Sequence, residues 1–269
     1  MAEVARWKES AALAERYSED AVTYRKLWAP QLQRAASPLI EALPMAGARR
    51  VLDVGCGVGA LLDDLAAAAP LATIFGVDLS TGMLRLADPR FPRAIMDATK
   101  LAFASASFDV VTMCFMLFHV PDPVAALKEV ERVLRPGGSI GVITWGDDPS
   151  YPALDVWTEE LDRHGAAPWN DVSACHELVD TASKVEGLLS LAGFVDPLSW
   201  TTGLDEGLDV ESFIEARTRI GRSKRRYESL DMTGRESCLQ RARHRLEAMA
   251  SEDFVDRSLA ISVTASSKP

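Results

Sequence analysis

The sequence contains little cysteine and none of the cysteine spacings that are typical of metal sites. Its four cysteines, Cys56, Cys114, Cys175 and Cys238, are widely separated and form no Cys-x-x-Cys pair. The spacing therefore predicts no zinc site, and we expect a protein without a bound metal. Unpaired thiols are typical of reducing compartments, so a cytoplasmic location is the simplest prediction.

Long apolar runs are also missing. No stretch of about 18 apolar residues occurs, so we expect no membrane-spanning helix. The first twenty residues carry charges throughout and lack the apolar centre of a signal peptide. We therefore expect no signal peptide in this chain.

Positive charge is scarce relative to negative charge. The chain has 29 Lys and Arg against 39 Asp and Glu, a formal net charge of −10. Binding to nucleic acid or to an anionic membrane needs clustered cations, so neither is an expected partner. One exception is "RTRIGRSKRR" at 217–226, where Arg217, Arg219 and Arg222 either form a solvated helix end or contact an anionic group of a substrate.

The 269 residues are enough for one large domain, or for one domain and a cap. Residues 1–46 have apolar side chains at helical spacing, and we expect Pro30 and Pro38 to break this helical segment. Short apolar runs then alternate with predicted helices, which is typical of an α/β fold with a parallel sheet. The five predicted strands are 50–54, 72–78, 93–97, 108–115 and 138–145.

After Trp145 the alternation weakens. Residues 147–180 are polar and are predicted to be irregular, and a helix over 181–192 stops at Gly193. A strand over 194–200, two or three helices within 208–250 and a last strand over 258–265 follow.

Glycines at alternate positions follow the first predicted strand in "VLDVGCGVGA" (51–60). Together with Ala60 they match G-x-G-x-x-A, the dinucleotide fingerprint. Asp53 argues against a dinucleotide, because an acid beside this loop would repel a pyrophosphate. It suits a ligand with a cationic head, such as the sulfonium or ammonium of S-adenosyl-L-methionine (SAM). The alternative is that Asp53 caps the amides of its own loop.

Two further acids end the next two predicted strands. Asp78 can accept both hydroxyls of a ribose, or it can cap the following helix, although Ser80 or Thr81 suits that role better. Asp97 can accept the exocyclic amine of adenine beside the Ala98 amide, or it can be an ordinary turn aspartate. The carboxyl ends of parallel strands meet at one edge of a sheet, so we expect all three acids to lie there.

These segments resemble the class I SAM-dependent methyltransferases, and in particular their small-molecule branch. The matching segments run in order from 50 to 145 and are "VLDVGCGVG", "GVDLSTGML", "MDATKLAFASASFDVV" and "FMLFHVPDPVAALKEVERVLRPGG". The resemblance implies a Rossmann-like seven-stranded sheet of order 3-2-1-4-5-7-6, flanked by helices, with an antiparallel last strand. It also implies a helical N-terminal lid (1–46), a SAM-binding core (47–203), a helical insertion that caps the acceptor (204–253) and the last strand (254–269).

By position, the resemblance also implies roles for individual residues. Asp53, Gly55 and Gly57, with Cys56 between them, meet the methionine part of SAM. Asp78 holds the ribose, Leu79 and Met83 flank the adenosine, and Asp97 and Ala98 hold the adenine. Cys114 and Phe115 line the methyl-bearing end, with His119 beside them, while Tyr17, Tyr24 and Trp28 close the pocket from the N-terminal helices.

The resemblance implies transfer of a methyl group to O, N or C of a small-molecule acceptor, with secondary metabolism as a candidate setting and S-adenosyl-L-homocysteine (SAH) as the product. His119 is either a general base or a wall of the pocket. Aromatic residues in the variable regions contribute either to the acceptor site or to a core; they are Trp145, Tyr151, Trp157, Trp169, Phe213 and Tyr227. The alternative functions are an NAD-dependent oxidoreductase and a catalytically silent SAM-binding module, and we expect a monomer or a homodimer.

Overall fold

The computed structural model describes residues 2–146, 150–168, 175–204 and 206–268. The chain forms two compact units. The first unit comprises 1–147, 173–202 and 259–269, and the second comprises 148–172 and 203–258. The predicted core at 47–203 includes 150–168, which belong to the second unit.

Helices and strands alternate over most of the first unit. The α-helices, in chain order, are α1 (Ala2–Leu27), α2 (Ala29–Ala42), α3 (Leu62–Ala68), α4 (Thr81–Leu86), α5 (Pro123–Val133), α6 (Pro152–Arg163), α7 (Ala182–Ala192), α8 (Val210–Arg219), α9 (Gly221–Glu228) and α10 (Met232–Leu246). The strands are β1 (Arg50–Val54), β2 (Thr73–Asp78), β3 (Arg93–Ile95), β4 (Phe108–Cys114), β5 (Leu134–Trp145), β6 (Val195–Gly203), β7 (Glu206–Gly207), β8 (Val255–Asp256) and β9 (Leu259–Ser266). In the described ranges, every helix is too short or too polar to cross a membrane.

Seven strands of the described chain form one sheet of order β3-β2-β1-β4-β5-β9-β6. β1 pairs in parallel with β2 and β4, and β9 pairs antiparallel with β5. The predicted order 3-2-1-4-5-7-6 is confirmed, with β9 as the seventh strand of the sheet. The label differs because β7 and β8 pair only with each other, as a separate two-stranded sheet.

The core of the first unit forms where amphipathic helices cover this sheet. In α5, the Asp122 side chain accepts a hydrogen bond from the Ala125 amide at 3.0 Å and so caps the helix. The buried side chains of α5 recur at helical spacing and include Leu127 and Val130. Burying an aliphatic side chain of this size contributes about 1.5–3 kcal/mol. Helical periodicity therefore fixes which face of α5 meets the sheet.

Pro38 does not break the N-terminal helical segment. The break lies at Trp28, between α1 and α2, and Pro30 occupies the first turn of α2, where its missing N–H costs no hydrogen bond. Pro38 lies inside α2, and the helix continues to Ala42. The face of α2 that carries Leu39 and Ile40 is buried, and this packing outweighs the backbone hydrogen bond that proline removes.

The region that we predicted to be irregular contains α6. Its charged composition conceals three apolar residues four positions apart, Ala153, Trp157 and Leu161, which are all buried. That spacing places them on one helical face, and Pro152 occupies the first turn. Tertiary burial of this face, rather than local composition, makes the segment helical.

The second unit has its own apolar core, formed by α6, α8, α10 and the segment that precedes β8. Phe213 is fully buried and packs edge-to-face on Phe254, with ring centroids 5.6 Å apart. Asp209 and Asp231 cap α8 and α10 through side-chain hydrogen bonds to backbone amides. The predicted two or three helices in this region are α8, α9 and α10.

One carboxylate in the second unit is buried and held by arginines. The Glu160 side chain is 0% exposed and accepts hydrogen bonds from Arg245 at 2.9 Å and Arg241 at 3.1 Å. Burial raises the pKa of Glu160, but the hydrogen bonds from Arg245 and Arg241 outweigh burial and hold the pKa below its usual value. The carboxylate therefore stays ionised and links α6 to α10.

We predict that Glu160→Gln lowers the free energy of unfolding of the second unit by about 1–3 kcal/mol, because charged hydrogen bonds to a buried group are lost. Urea unfolding and trypsin sensitivity at 203–258 measure the effect. Glu159→Gln is the matched control, since Glu159 also bonds Arg245 (2.7 Å) but its side chain is 59% exposed. Equal effects of the two substitutions would contradict a special role for the buried carboxylate.

Candidate active site

The first unit contains a cavity of about 640 Å³ at the carboxyl ends of β1, β2 and β4. Its walls come from α1, the loop after β1, the end of β2 with α4, and the segments after β3 and β4. The residues that we predicted at this site and that line the cavity are Tyr17, Tyr24, Gly55, Gly57, Asp78, Leu79, Met83, Asp97, Ala98, Cys114, Phe115 and His119. Asp53, Cys56 and Trp28 are not part of the lining.

The loop after β1 needs glycine for both conformation and space. Gly55 has φ +75°, and a Cβ at this position would lie 2.7 Å from the Met116 side chain. The Gly55 amide donates a hydrogen bond to the Val77 carbonyl at 2.7 Å. The loop is thus drawn against the end of β2, which brings the backbone of 55–57 to the cavity surface.

Asp78 orders this loop as well as lining the cavity. One carboxylate oxygen accepts the Gly57 amide at 2.8 Å and the other accepts the Ser80 amide at 2.7 Å. Burial raises the pKa of Asp78, and these backbone bonds partly oppose the shift. Ser80, not Asp78, caps α4 by accepting from the Met83 amide at 3.3 Å. Each carboxylate oxygen retains a lone pair for a ligand donor.

Asp53 lies behind the cavity wall. It is 2% exposed, and its chain neighbours Val54 and Gly55 line the cavity instead. Its Oδ1 accepts a hydrogen bond from Thr112 Oγ1 at 2.7 Å, so it does not cap its own loop, whose Gly57 amide is bonded to Asp78. Burial, together with nearby Asp78, raises the pKa of Asp53 to about 7 against the lowering effect of the Thr112 bond.

Asp97 combines both interpretations that the sequence left open. Its Oδ1 accepts hydrogen bonds from the Thr99 amide and from Thr99 Oγ1, both at 2.8 Å, which is the geometry of a turn aspartate. It also lines the cavity next to Ala98. The turn bonds occupy one carboxylate oxygen and leave Oδ2 for a ligand.

Helix α1 roofs the cavity through a contact that the sequence analysis did not identify. Ser18 Oγ accepts a hydrogen bond from the Gly82 amide at 3.0 Å and bonds Ser80 Oγ at 2.8 Å. A Cβ at Gly82 would lie 2.5 Å from Ser18 Cα, so only glycine permits this approach. A glycine in the first turn of a helix was the available signal, since that position does not favour glycine otherwise.

The neighbouring residue ties α1 to the opposite wall. Tyr17 and His119 are joined by a hydrogen bond of 2.8 Å between the phenol oxygen and Nε2. Tyr24 packs edge-to-face on Tyr17, with centroids 5.9 Å apart, and Trp28 packs on Tyr24 outside the lining. Burial, with smaller effects of Tyr17, Asp78 and Asp53, raises the pKa of Tyr24, so its phenol stays neutral.

Phe115 forms an aromatic part of the cavity wall. Its φ is +53°, which is uncommon for a residue other than glycine, and its amide donates to the Ile143 carbonyl at 2.8 Å. Its ring lies 4.5 Å from the Trp145 ring. Burial raises the pKa of the adjacent Cys114 well above its usual value, so this thiol is not an activated nucleophile.

The second-unit residues that we considered for an acceptor site have mostly structural partners. Trp157 and Phe213 are fully buried core residues, and Trp169 lies outside the described residues. Arg217 packs over the Phe213 ring at 5.1 Å and donates a hydrogen bond to the Tyr151 phenol. Arg219 lies 3.8 Å from Glu215. These contacts favour the structural interpretation of the aromatic residues and of much of 217–226.

Comparison with known proteins agrees with this geometry. Residues 52–142 match the family described as a methyltransferase domain. The chain is 36% identical over 136 residues to a demethylmenaquinone methyltransferase of Renibacterium salmoninarum, a match that covers 49% of this chain and 56% of that protein. It is 41% identical over 108 residues to a ubiquinone biosynthesis O-methyltransferase of Paracidovorax citrulli, which covers 37% of this chain and 44% of that protein. The chain thus spans about half the length of the curated relatives it matches.

The fold also matches solved structures. The phosphoethanolamine N-methyltransferase 2 of Haemonchus contortus, in complex with S-adenosyl-L-methionine, superposes with a TM-score of 0.52 at 21% identity. The match covers 88% of this chain and 52% of that one. At this identity the likeness concerns the fold, which is the Rossmann-like fold predicted from the sequence.

We predict that Gly82→Ala detaches α1 from α4, because the new methyl group would lie against the Ser18 backbone. Trypsin cleavage after Arg16, Arg25 and Lys26 should accelerate at least fivefold, measured by mass spectrometry of intact fragments. Gly187→Ala in α7 is the matched control, since nothing lies within 4 Å of a Cβ there. Unchanged cleavage in Gly82→Ala would show that the contact does not hold α1.

Proposed function

We propose that this chain, whose core belongs to the class I SAM-dependent methyltransferases, transfers a methyl group from SAM to a small-molecule acceptor. The observation that carries the proposal is the presence of two acids, Asp53 and Asp78, at the glycine loop. In a dinucleotide site the loop amides hold a pyrophosphate. Here Asp78 takes the Gly57 amide and Asp53 lies directly behind the loop, so the loop is surrounded by acids. This arrangement favours a cationic ligand over an anionic one.

The cavity has groups suited to each part of SAM. Asp78 retains lone pairs for the ribose hydroxyls, and Asp97 Oδ2 with the Ala98 amide suits the adenine edge. The loop backbone at Gly55 and Gly57, which both line the cavity, suits the methionine part. When bound, SAM supplies a methyl group that its sulfonium already activates. The protein then has to position the acceptor and exclude water, which the α1 roof favours.

His119 and Tyr17 are suited to proton removal from the acceptor. Because their hydrogen bond joins the phenol oxygen to Nε2, Tyr17 can receive the acceptor's proton while it passes its own to His119. Charges balance, since the acceptor loses one proton and His119 gains one. The second interpretation is that His119 is only a wall of the pocket, which requires no proton transfer.

The lining favours a planar acceptor. Tyr17, Tyr24 and Phe115 present aromatic surfaces, and offset or edge-to-face packing on such rings stabilises planar ligands. The relatives are named for demethylmenaquinone and for ubiquinone biosynthesis, one of them as an O-methyltransferase. We therefore propose a hydroxylated aromatic ring as the acceptor class. The secondary-metabolism setting and the monomeric or dimeric state remain predictions, and the four free thiols favour the cytoplasm.

We predict that the protein binds SAH and that NAD binds at least tenfold more weakly in isothermal titration. Asp78→Ala should weaken SAH binding at least tenfold, because a buried acceptor of two hydroxyls is lost. Asp63→Asn is the control, since Asp63 is an exposed acid paired with Arg90 at 2.9 Å. Tighter binding of NAD than of SAH would favour the oxidoreductase alternative.

We predict that His119→Ala and Tyr17→Phe each lower turnover at least tenfold while the dissociation constant for SAH changes less than threefold. Turnover is measured as label transfer from methyl-labelled SAM into hydroxylated aromatic compounds and metabolite extracts. Turnover that is unaltered in both variants would make His119 a wall. If the unsubstituted protein binds SAH but transfers no label, the silent-module alternative is favoured.

A further inference from the structure

Asp53 differs from the other acids at the site in how its carboxyl group is bonded. Among the residues that the structure describes, Thr112 is the one hydrogen-bond donor to Asp53, at 2.7 Å to Oδ1. The comparably buried Asp78 receives two backbone amides. Because an ionised buried carboxylate needs several donors, the Asp53 site is better suited to a protonated carboxyl.

The groups around Asp53 reinforce this difference. The titratable groups that act on it or feel its charge come from four elements, namely Asp78 of β2, Cys56 of the glycine loop, Cys114 of β4 and Tyr24 of α1. All four are acids, so an ionised Asp53 would repel the charge of Asp78 and gain nothing from the neutral thiols and phenol. In the described part of the chain no cation acts on the Asp53 carboxyl.

A cation that interacts with Asp53 can be provided by a ligand bound in the cavity. Val54, Gly55 and Cys114 line it: Val54 and Gly55 are the two residues after Asp53, and Cys114 lies two positions after its partner Thr112 in β4. A cationic group bound over these residues would lie across the cavity wall from the buried Asp53 carboxyl. In such a low-dielectric setting, opposite charges a few ångströms apart interact strongly.

We propose that Asp53 holds a proton in the ligand-free protein near neutral pH and releases it to solvent when a cationic ligand fills the cavity. The inference rests on the proposed function, because it takes the α-ammonium and sulfonium groups of SAM as that ligand. The O–H bond of the Asp53 carboxyl breaks and its proton passes to water, so each filled site releases at most one proton and gains one carboxylate charge. Asp53 thereby makes the site specific for a cation, through charge rather than through direct contact.

The ligand-free protein allows a test without any ligand. Burial raises the pKa of Asp53 from 3.8 to about 7, so between these pH values the folded state binds more protons than the unfolded chain. The free energy of unfolding therefore falls as pH rises through this window, and the loss is complete above about pH 7. Asp53→Asn should remove this dependence and should melt at a higher temperature than the unsubstituted protein at pH 8, with a smaller difference at pH 5.

The ligand test measures protons directly. SAH is titrated into the protein at pH 7 in phosphate and in Tris, whose ionisation enthalpies differ, and the difference in heat gives the protons released. We expect about half a proton per site at pH 7, because Asp53 titrates near that pH, and more at pH 6. Asp53→Asn should release at least fivefold fewer protons. At pH 6, where Asp53 holds most of its proton, sinefungin, whose amine replaces the sulfonium, should release at least as many protons as SAH.

Asp63→Asn serves as the control, since it removes an exposed carboxylate outside the cavity, paired with Arg90 at 2.9 Å. It should leave the proton count unchanged. SAH binding with equal proton release in Asp53→Asn, or with proton uptake by the unsubstituted protein, would overturn the inference and leave the proposed function intact. Absence of SAH binding would overturn the proposed function. If the melting temperature of Asp53→Asn changes with pH as much as that of the unsubstituted protein, Asp53 is not protonated in the ligand-free protein.

Discussion

The two hydrogen bonds that the Asp78 carboxylate accepts hold the site together. One comes from the glycine loop after β1 and the other from the turn that begins α4. Because β1 and β2 are adjacent and parallel, their carboxyl ends lie side by side, and a single short acid can join both connections. The same turn carries Ser80 and leads to Gly82, on which α1 rests. Loop, turn and roof therefore depend on one side chain at the end of one strand.

Local patterns predicted the parallel sheet and the three acids at one edge of it, whereas the strand order and most of the cavity residues were implied by the family resemblance. Apolar runs with an acid at or near their ends marked β1, β2 and β3, and the predicted parallel arrangement placed those ends together. Asp53 was only partly understood, because strand alternation places its side chain against Thr112 rather than in the cavity. Its contact with a neighbouring strand depends on the register of β1 and β4, which no local pattern encodes.

Contacts between distant parts of the chain were beyond reach. Tyr17 and His119 are 102 positions apart, and both were named for the pocket without any indication that they bond each other. Helix α6 was missed because its charged residues hide a buried face, and Pro38 was misjudged because tertiary packing of α2 overrides a local penalty. In both helices, the burial of one face by tertiary packing determines the secondary structure, and local composition does not show that burial. The family match covers 52–142, which lies within the first unit.

The left-handed backbone at Phe115 limits how this cavity can change. At φ +53° a side chain branched at Cβ is strongly disfavoured, so Val, Ile and Thr are poor replacements at this position. Asn and Gly tolerate the conformation but would remove the ring that rests on Trp145. The backbone conformation at Phe115 therefore limits which side chains can form this part of the pocket during evolution or engineering. Substitution of Trp145, which lies behind the Phe115 ring, is an easier route to broader specificity than substitution of Phe115.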